Sequence, residues 1–295
     1  MTHQQGGARA AAKPVRGQPI DIGGRRLRAV IAGPAGPRPT VVLEHGAFGC
    51  SADWAEVQER LAAKGLRSVA YDRTGLGHSD PGPLPRDGRA IVADLDALLT
   101  ALGETGPFVL VGHSMGGLTV RLYALTHPDK VLGVVLVDAM TPAVIDLPAG
   151  RQAIASFARL LRMAHLGARA GLMGPISLLT GNLIGLNGEA AAEKRRIHAS
   201  APHARAAADE VASWPQTSQQ AGREAFPPEL PVAVVTAGAD RGRGPMKAIQ
   251  AEPALSSRRG YVEHVAGSNH ASLLGRRFAD PVVRGVEHVL RAVGR

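Results

Sequence analysis

The sequence predicts an α/β fold: a mostly parallel eight-stranded sheet with helices on both faces and a helical cap inserted between the sixth and seventh strands. Three observations carry this. Short apolar, β-branched runs such as TVVLE (40–44), FVLVG (108–112) and VVLV (134–137) alternate with longer helical stretches. Near-continuous apolar runs of that length suit strands buried on both faces. Between residues 141 and 228 the alternation stops, and an Ala- and Leu-rich stretch with no strand-like run takes its place.

Each element follows in order. Residues 19–23 and 25–32 form an opening antiparallel hairpin turned at Gly23-Gly24. The strand 40–44 runs into His45-Gly46, and a helix over 52–64 ends at Gly65, a residue suited to the left-handed helix stop. A strand at 67–71 leads to a glycine-punctuated turn over 72–80. Residues 87–102 place Ile91, Leu95, Leu98, Leu99 and Leu102 at helical spacing. The strand 108–112 is followed by a helix at 115–126 and a strand at 131–137. Within the insertion, helices are expected at 152–166 and 189–198. The alternation resumes with a strand at 231–236, a helix near 245–251, a strand at 261–265 and a closing helix at 281–293. The expected organisation is therefore a disordered basic tail (1–18), a core (19–140 and 229–295) and a cap (141–228).

Composition narrows the function classes. The 295 residues are 45% hydrophobic and 20% charged, ordinary for a globular enzyme, and at 3% aromatic the interior must be filled by Ala, Val, Leu and Gly. The formal net charge of +9 comes mostly from scattered arginines, among them Arg25, Arg26, Arg28, Arg258 and Arg259. Without aromatic interleaving or a continuous basic helix face, this reads as solvated surface charge and argues against a nucleic-acid partner. Cys50 is the single cysteine, so no intrachain disulfide is possible, and no Cys/His cluster has metal-ligand spacing. No apolar run reaches the roughly 20 residues of a spanning helix. A cytoplasmic protein without integral membrane association is expected.

The chemistry concentrates at GHSMGG (112–117), a G-x-S-x-G nucleophile elbow placed between FVLV and an amphipathic helix. Ser114 is the candidate nucleophile. The turn is so tight that small residues are needed two positions to either side. HGAFG (45–49) follows the TVVLE strand, where Ala47 N–H and Met115 N–H could aim two donors at a developing oxyanion. His45 itself is expected to be structural. Phe48 and His113 are the candidate substrate-binding residues.

HGAFG, YDRTGLGHSD, VGHSMGG, VVLVDAM and the late GSNH occur in an order that resembles α/β-hydrolase fold enzymes, esterase-like members with a helical lid, over nearly the whole chain except the cap. The resemblance implies the fold, the lid and a Ser…Asp…His order. It makes His270, in the loop after the last strand, the general base. For the acid, Asp240 in VVTAGAD holds the usual location, although only Ala239 separates it from Gly238 where two residues are common. Asp138, closing VVLV, is the alternative, a position some family members use. Asp72 is read as structural, holding loop amides, and Trp54 as packing the first helix onto the sheet. Glu44 departs from the family pattern, since an apolar residue would sit more comfortably before His45, and no role for it follows from the sequence.

A serine nucleophile argues against the dehalogenase and epoxide hydrolase chemistry that this fold performs with a carboxylate. What remains is acyl transfer to water, with a carboxylic ester the first choice and thioester, lactone, amide or carbon–carbon cleavage using the same parts. Leu160, Leu161, Leu172, Leu178, Leu179, Leu183 and Leu186 in the cap suggest an apolar small-molecule guest. No dinucleotide or phosphate-loop fingerprint is present, so no cofactor is implied. A non-catalytic receptor for a small ligand, and a cofactor-free perhydrolase, are the alternatives.

Overall fold

A computed structural model describes residues 16–222, 224–238 and 244–295. The strands are β1 (Gln18–Asp21), β2 (Arg26–Ala32), β3 (Val41–Glu44), β4 (Ser68–Tyr71), β5 (Phe108–His113), β6 (Val131–Val137), β7 (Val232–Ala237) and β8 (Gly260–Val265). They form one eight-stranded sheet in the order β1-β2-β4-β3-β5-β6-β7-β8. Only the β1–β2 and β2–β4 pairs are antiparallel, and every other pair is parallel. Because β1 already begins at Gln18, the expected tail is shorter than 1–18 at its inner end; residues 1–15 lie outside the described residues.

The apolar runs behave as period-2 strands covered on both sides. Val41, Leu43, Val109, Val111, Val135 and Val137 point to one face, where they meet Trp54 and helices α1 (Ala55–Ala63) and α11 (Asp280–Ala292). Their neighbours Val42, Leu110, Val134 and Leu136 point to the other, against α2 (Gly88–Ala101) and α3 (Gly116–Thr126). All ten strand residues are buried, each removed from water at roughly 1.5–3 kcal/mol of favourable transfer. β3 lies between β4 and β5, so the chain leaving β3 through α1 and the chain leaving β5 through α3 pass to opposite faces. That reversal opens a crevice at the carboxyl ends of β3 and β5, where open parallel sheets bind ligands.

Between β6 and β7 stand six helices and, among the described residues, no strand. They are α4 (Pro142–Asp146), α5 (Pro148–Arg169), α6 (Met173–Thr180), α7 (Gly188–His198), α8 (Ala201–Ala212) and α9 (Trp214–Ala221). α4, α6, α8 and α9 go beyond the two helices expected in this stretch. Pro175, Pro202 and Pro215 each fall in a first turn, where the missing N–H costs nothing. After β7 the chain forms α10 (Gly244–Leu255), longer than the helix expected near 245–251.

The leucines of the insertion divide by exposure. Leu161 and Leu186 are buried, but Leu160, Leu172, Leu178, Leu179 and Leu183 are 62–84% exposed. α5 already turns Ile154, Ala158 and Leu161 inward, and Leu160 lies on its opposite side.

Candidate active site

Ser114 sits with Met115 between the end of β5 and the start of α3, with φ at 53°, a left-handed backbone that costs a side-chain-bearing residue about 1–3 kcal/mol. The surroundings hold it there. Its N–H donates to Val137 O (3.1 Å), and its carbonyl accepts from Gly117 N (3.0 Å) and Met140 N (2.9 Å). A Cβ on Gly116 would meet the Glu44 carbonyl at 2.4 Å, so only glycine lets α3 start against the end of β3. A Cβ on Gly46 would stand 3.0 Å from Ser114 Cβ and 3.1 Å from His113 Nδ1. The HGAFG loop therefore lies directly on the Ser114 turn.

That loop is held in place by buried polar groups that sequence reasoning missed. Phe48 is left-handed at φ 55°. Its carbonyl accepts from Lys194 Nζ (3.2 Å) and His203 Nε2 (3.3 Å), both from the insertion. Lys194 also pairs with Asp53 at 2.8 Å. His203 Nδ1 accepts from Gly77 N at 3.0 Å, so its single proton is on Nε2. Burial, followed by the Lys194 charge, lowers the His203 pKa to about 3. Phe48 presents its ring to His198 and His203 at centroid distances of 4.9 and 4.7 Å. The Ala47 and Met115 amides donate to no partner among the described residues, which leaves both free for a ligand oxygen.

Arg73 is the hub beneath this loop. Its guanidinium donates to the His45 carbonyl (2.6 Å) and the Gly46 carbonyl (3.0 Å). It forks onto Glu210 of α8 at 2.9 and 2.8 Å, and pairs with Glu44. The Tyr71 hydroxyl donates to the other Glu44 oxygen. This gives Glu44 its role: it is the buried counter-ion of Arg73, fully covered at the end of β3. Burial raises the Glu44 pKa against the opposing pull of Arg73 and Tyr71. For Arg73, burial is the largest influence and works against the charge, but Glu210 and Glu44 outweigh it and raise the pKa.

The readings of His45 and Asp72 as structural agree with their contacts. His45 is buried with Nδ1 2.8 Å from the Gly46 carbonyl, and burial takes its pKa well below the usual value. Asp72 accepts from Ser51 N (2.7 Å) and His78 N (2.9 Å), clasping two loops. Trp54 is fully buried against β3 and α1.

His270, in the loop after β8, brings Nδ1 to 2.7 Å from Asp138 Oδ2. Asp138 follows β6 with φ at 41°; its N–H donates to Val235 O (2.7 Å) and its Oδ1 accepts from Ala237 N (3.2 Å). Burial pushes the Asp138 carboxyl up, but the His270 hydrogen bond and charge and the Ala237 amide outweigh it and hold the pKa below its ordinary value. The contact with the imidazole thus goes to Asp138, while Asp240, favoured by the sequence, lies outside the described residues. His113 donates from Nε2 to the His270 carbonyl at 2.9 Å, and the two rings stack at 4.6 Å. Burial, then the neighbouring His270, lowers the His113 pKa to about 3, so a neutral His113 braces the His270 loop. Among the described residues, Phe48, Ser114 and Asp138 are the non-glycine residues with positive φ. Each follows the end of β3, β5 or β6, and backbone strain of this kind gathers at functional sites.

Comparison with known proteins agrees with this architecture. Residues 39–172 match the family model described as alpha/beta hydrolase fold. An sn-1-specific diacylglycerol lipase of Mus musculus is 39% identical over 101 residues, 34% of this chain and 32% of that one. A non-heme chloroperoxidase of Streptomyces lividans is 37% identical over 113 residues, 37% of this chain and 41% of that one. The matched stretch therefore spans less than half the length of these curated relatives. A thermophilic esterase from Thermogutta terrifontis superposes on 91% of this chain and 94% of its own, with a TM-score of 0.65 at 23% identity, a likeness of fold. Over residues 39–172 the chain matches the alpha/beta hydrolase fold family, and its fold as a whole is like that of the esterase.

Proposed function

We propose that the protein is a serine hydrolase acting on a carboxylic ester or related acyl compound. In this reading Ser114 is the nucleophile, His270 the general base and Asp138 the acid. The observation that carries it is the 2.7 Å contact from His270 Nδ1 to Asp138, which fixes the proton on Nδ1 and leaves Nε2 as the basic nitrogen. Ser114 Oγ attacks the substrate carbonyl carbon while His270 Nε2 takes the hydroxyl proton. The Ala47 and Met115 amides receive the negative charge that develops on the carbonyl oxygen. Collapse of the tetrahedral adduct returns that proton to the leaving alcohol and leaves an acyl group on Ser114. Water, deprotonated by His270, then attacks the acyl carbon, and the acid leaves as Ser114 regains its proton. The helical insertion, residues 141–228, acts as the lid, and through Lys194, His203 and Glu210 it also fixes the oxyanion loop.

The 37% identity to a chloroperoxidase favours a second reading, in which hydrogen peroxide replaces water and the same acyl-enzyme yields a peracid. Peroxide-dependent halogenation in acetate buffer distinguishes the two. The test common to both is labelling with a fluorophosphonate probe alongside turnover of a chromogenic short-chain ester. Ser114→Ala is expected to abolish labelling and to cut turnover by roughly 10⁴-fold or more. Turnover within tenfold of the parent, or a label on another residue, rejects the nucleophile. A stable protein that binds but never turns over an ester or is labelled is the non-catalytic receptor.

A further inference from the structure

The helical insertion carries the largest group of exposed apolar side chains among the described residues. On α5, Leu160, Met163 and Leu166 are 62–65% exposed, following one another at three-residue spacing on the side away from Ile154 and Leu161. Leu178 and Leu179 on α6 and Leu183 just beyond reach 71, 84 and 67%. Contiguous exposed leucines on a soluble domain mark a surface that is covered by something else.

The charge around the face says what. From residue 147 to 188 the sequence has no Asp, Glu or Lys, and its charges are Arg151, Arg159, Arg162 and Arg169. All four are exposed, and none forms an ion pair among the described residues. Arg159 lies within the apolar stripe of α5, one turn before Met163, and Arg162 and Arg169 flank it on one side, so cationic heads accompany the exposed apolar side chains. An amphipathic helix with leucines on one face and arginines at its margin lies flat in a bilayer interface, where long basic side chains reach back to the headgroups. A second copy of this chain fits the same face poorly, because two-fold pairing would bring the same arginines together with no carboxylate between them. No helix among the described residues is long and apolar enough to cross a membrane, so contact is from one side.

We propose that α5, α6 and the segment to Leu183 form a docking surface for a membrane leaflet rich in anionic lipid. The proposal concerns where the protein sits and stands whether or not Ser114 is the nucleophile. Its consequence for the hydrolase reading is that the lid would meet lipophilic esters at the bilayer surface.

The test is flotation of the full chain with vesicles of phosphatidylcholine alone or containing about 30 mol% phosphatidylglycerol, across a salt series. The chain is expected to float with the anionic vesicles at least tenfold more strongly than with the neutral ones, and to be released by salt. Leu178→Ser with Leu179→Ser, and separately Arg159→Glu with Arg162→Glu, are each expected to lower binding by tenfold or more. Every substituted side chain is exposed, and matching thermal melts of parent and variants confirm the fold. Equal or no binding to the two vesicle types overturns the proposal, as does binding that survives both pairs of changes. A concentration-dependent dimer in sedimentation velocity that the same changes dissolve would assign the face to a second copy and overturn it too.

Discussion

Replacing Arg73 by methionine removes the cation from a buried cluster and strands two carboxylates. Arg73 is 1% exposed, and the side chains of Glu44 and Glu210 are 0% and 1% exposed, so water cannot take over from the guanidinium. The His45 and Gly46 carbonyls lose donors at 2.6 and 3.0 Å in the same change. Breaking a buried ion pair from one side costs about 3–5 kcal/mol, a large share of a typical domain's stability. Urea unfolding at neutral pH is expected to show a loss of that size for Arg73→Met. The loss has a sign with pH. Without Arg73, nothing of that charge opposes the burial that already raises the Glu44 pKa, so the folded state binds a proton that the unfolded chain does not, and the deficit shrinks toward acid pH. Adding Glu44→Gln and Glu210→Gln to Arg73→Met is expected to recover most of the stability, because neutral amides tolerate burial far better than unpaired charges. Arg73→Lys keeps the charge but cannot form the fork to Glu210 and reach both carbonyls, and should fall between. A loss below about 1 kcal/mol for Arg73→Met, or no recovery on neutralising the glutamates, would refute the view that this cluster is dry and holds the oxyanion loop.

Two further outcomes follow from the geometry. His113 and His203 are buried with folded pKa values of about 3, below the roughly 6.5 of an unfolded histidine, so the unfolded chain takes up protons first as pH falls. Stability is therefore constant above about pH 6.5 and declines below it, with each histidine contributing a slope that approaches 1.4 kcal/mol per pH unit. His203→Gln, whose amide can serve both the Gly77 N–H and the Phe48 carbonyl, should flatten the urea-derived profile by about one histidine's share; an unchanged slope would show that His203 is not the group titrating. Gly46→Ala puts a methyl 3.0 Å from Ser114 Cβ and must push the oxyanion loop back by a few tenths of an ångström. Ester turnover should drop roughly tenfold or more with little change in Tm, and unchanged kcat would mean that the loop does not serve the oxyanion.

The sheet was legible because its signal is local. VVLE and FVLVGH are apolar at every position or nearly so, and chains of that kind fit only strands covered on both faces. The elbow was legible for a related reason: a turn this tight excludes side chains, and glycines at 112 and 116 record the exclusion in the sequence. The contact of Asp138 with His270 was not legible, because it rests on a backbone angle. Asp138 turns toward His270 at φ 41°, a conformation aspartate tolerates but does not announce. The groups that secure the HGAFG loop, Lys194, His203 and Glu210, arrive from an insertion more than a hundred residues away in sequence, and no spacing rule links them to Phe48 or Arg73. Glu44 was the one visible trace of that network, a charge where an apolar residue would have been more comfortable.

If Asp138 orients His270 for proton transfer with Ser114, as proposed, the steady-state kcat of Asp138→Asn beside that of Asp240→Asn on one chromogenic ester will show it. An amide at 138 cannot stabilise the imidazolium and favours the wrong tautomer, so kcat should fall by on the order of 10³–10⁴ while Asp240→Asn costs tenfold or less. The reverse order, with Asp138→Asn within tenfold of the parent and Asp240→Asn nearly inactive, would contradict the account.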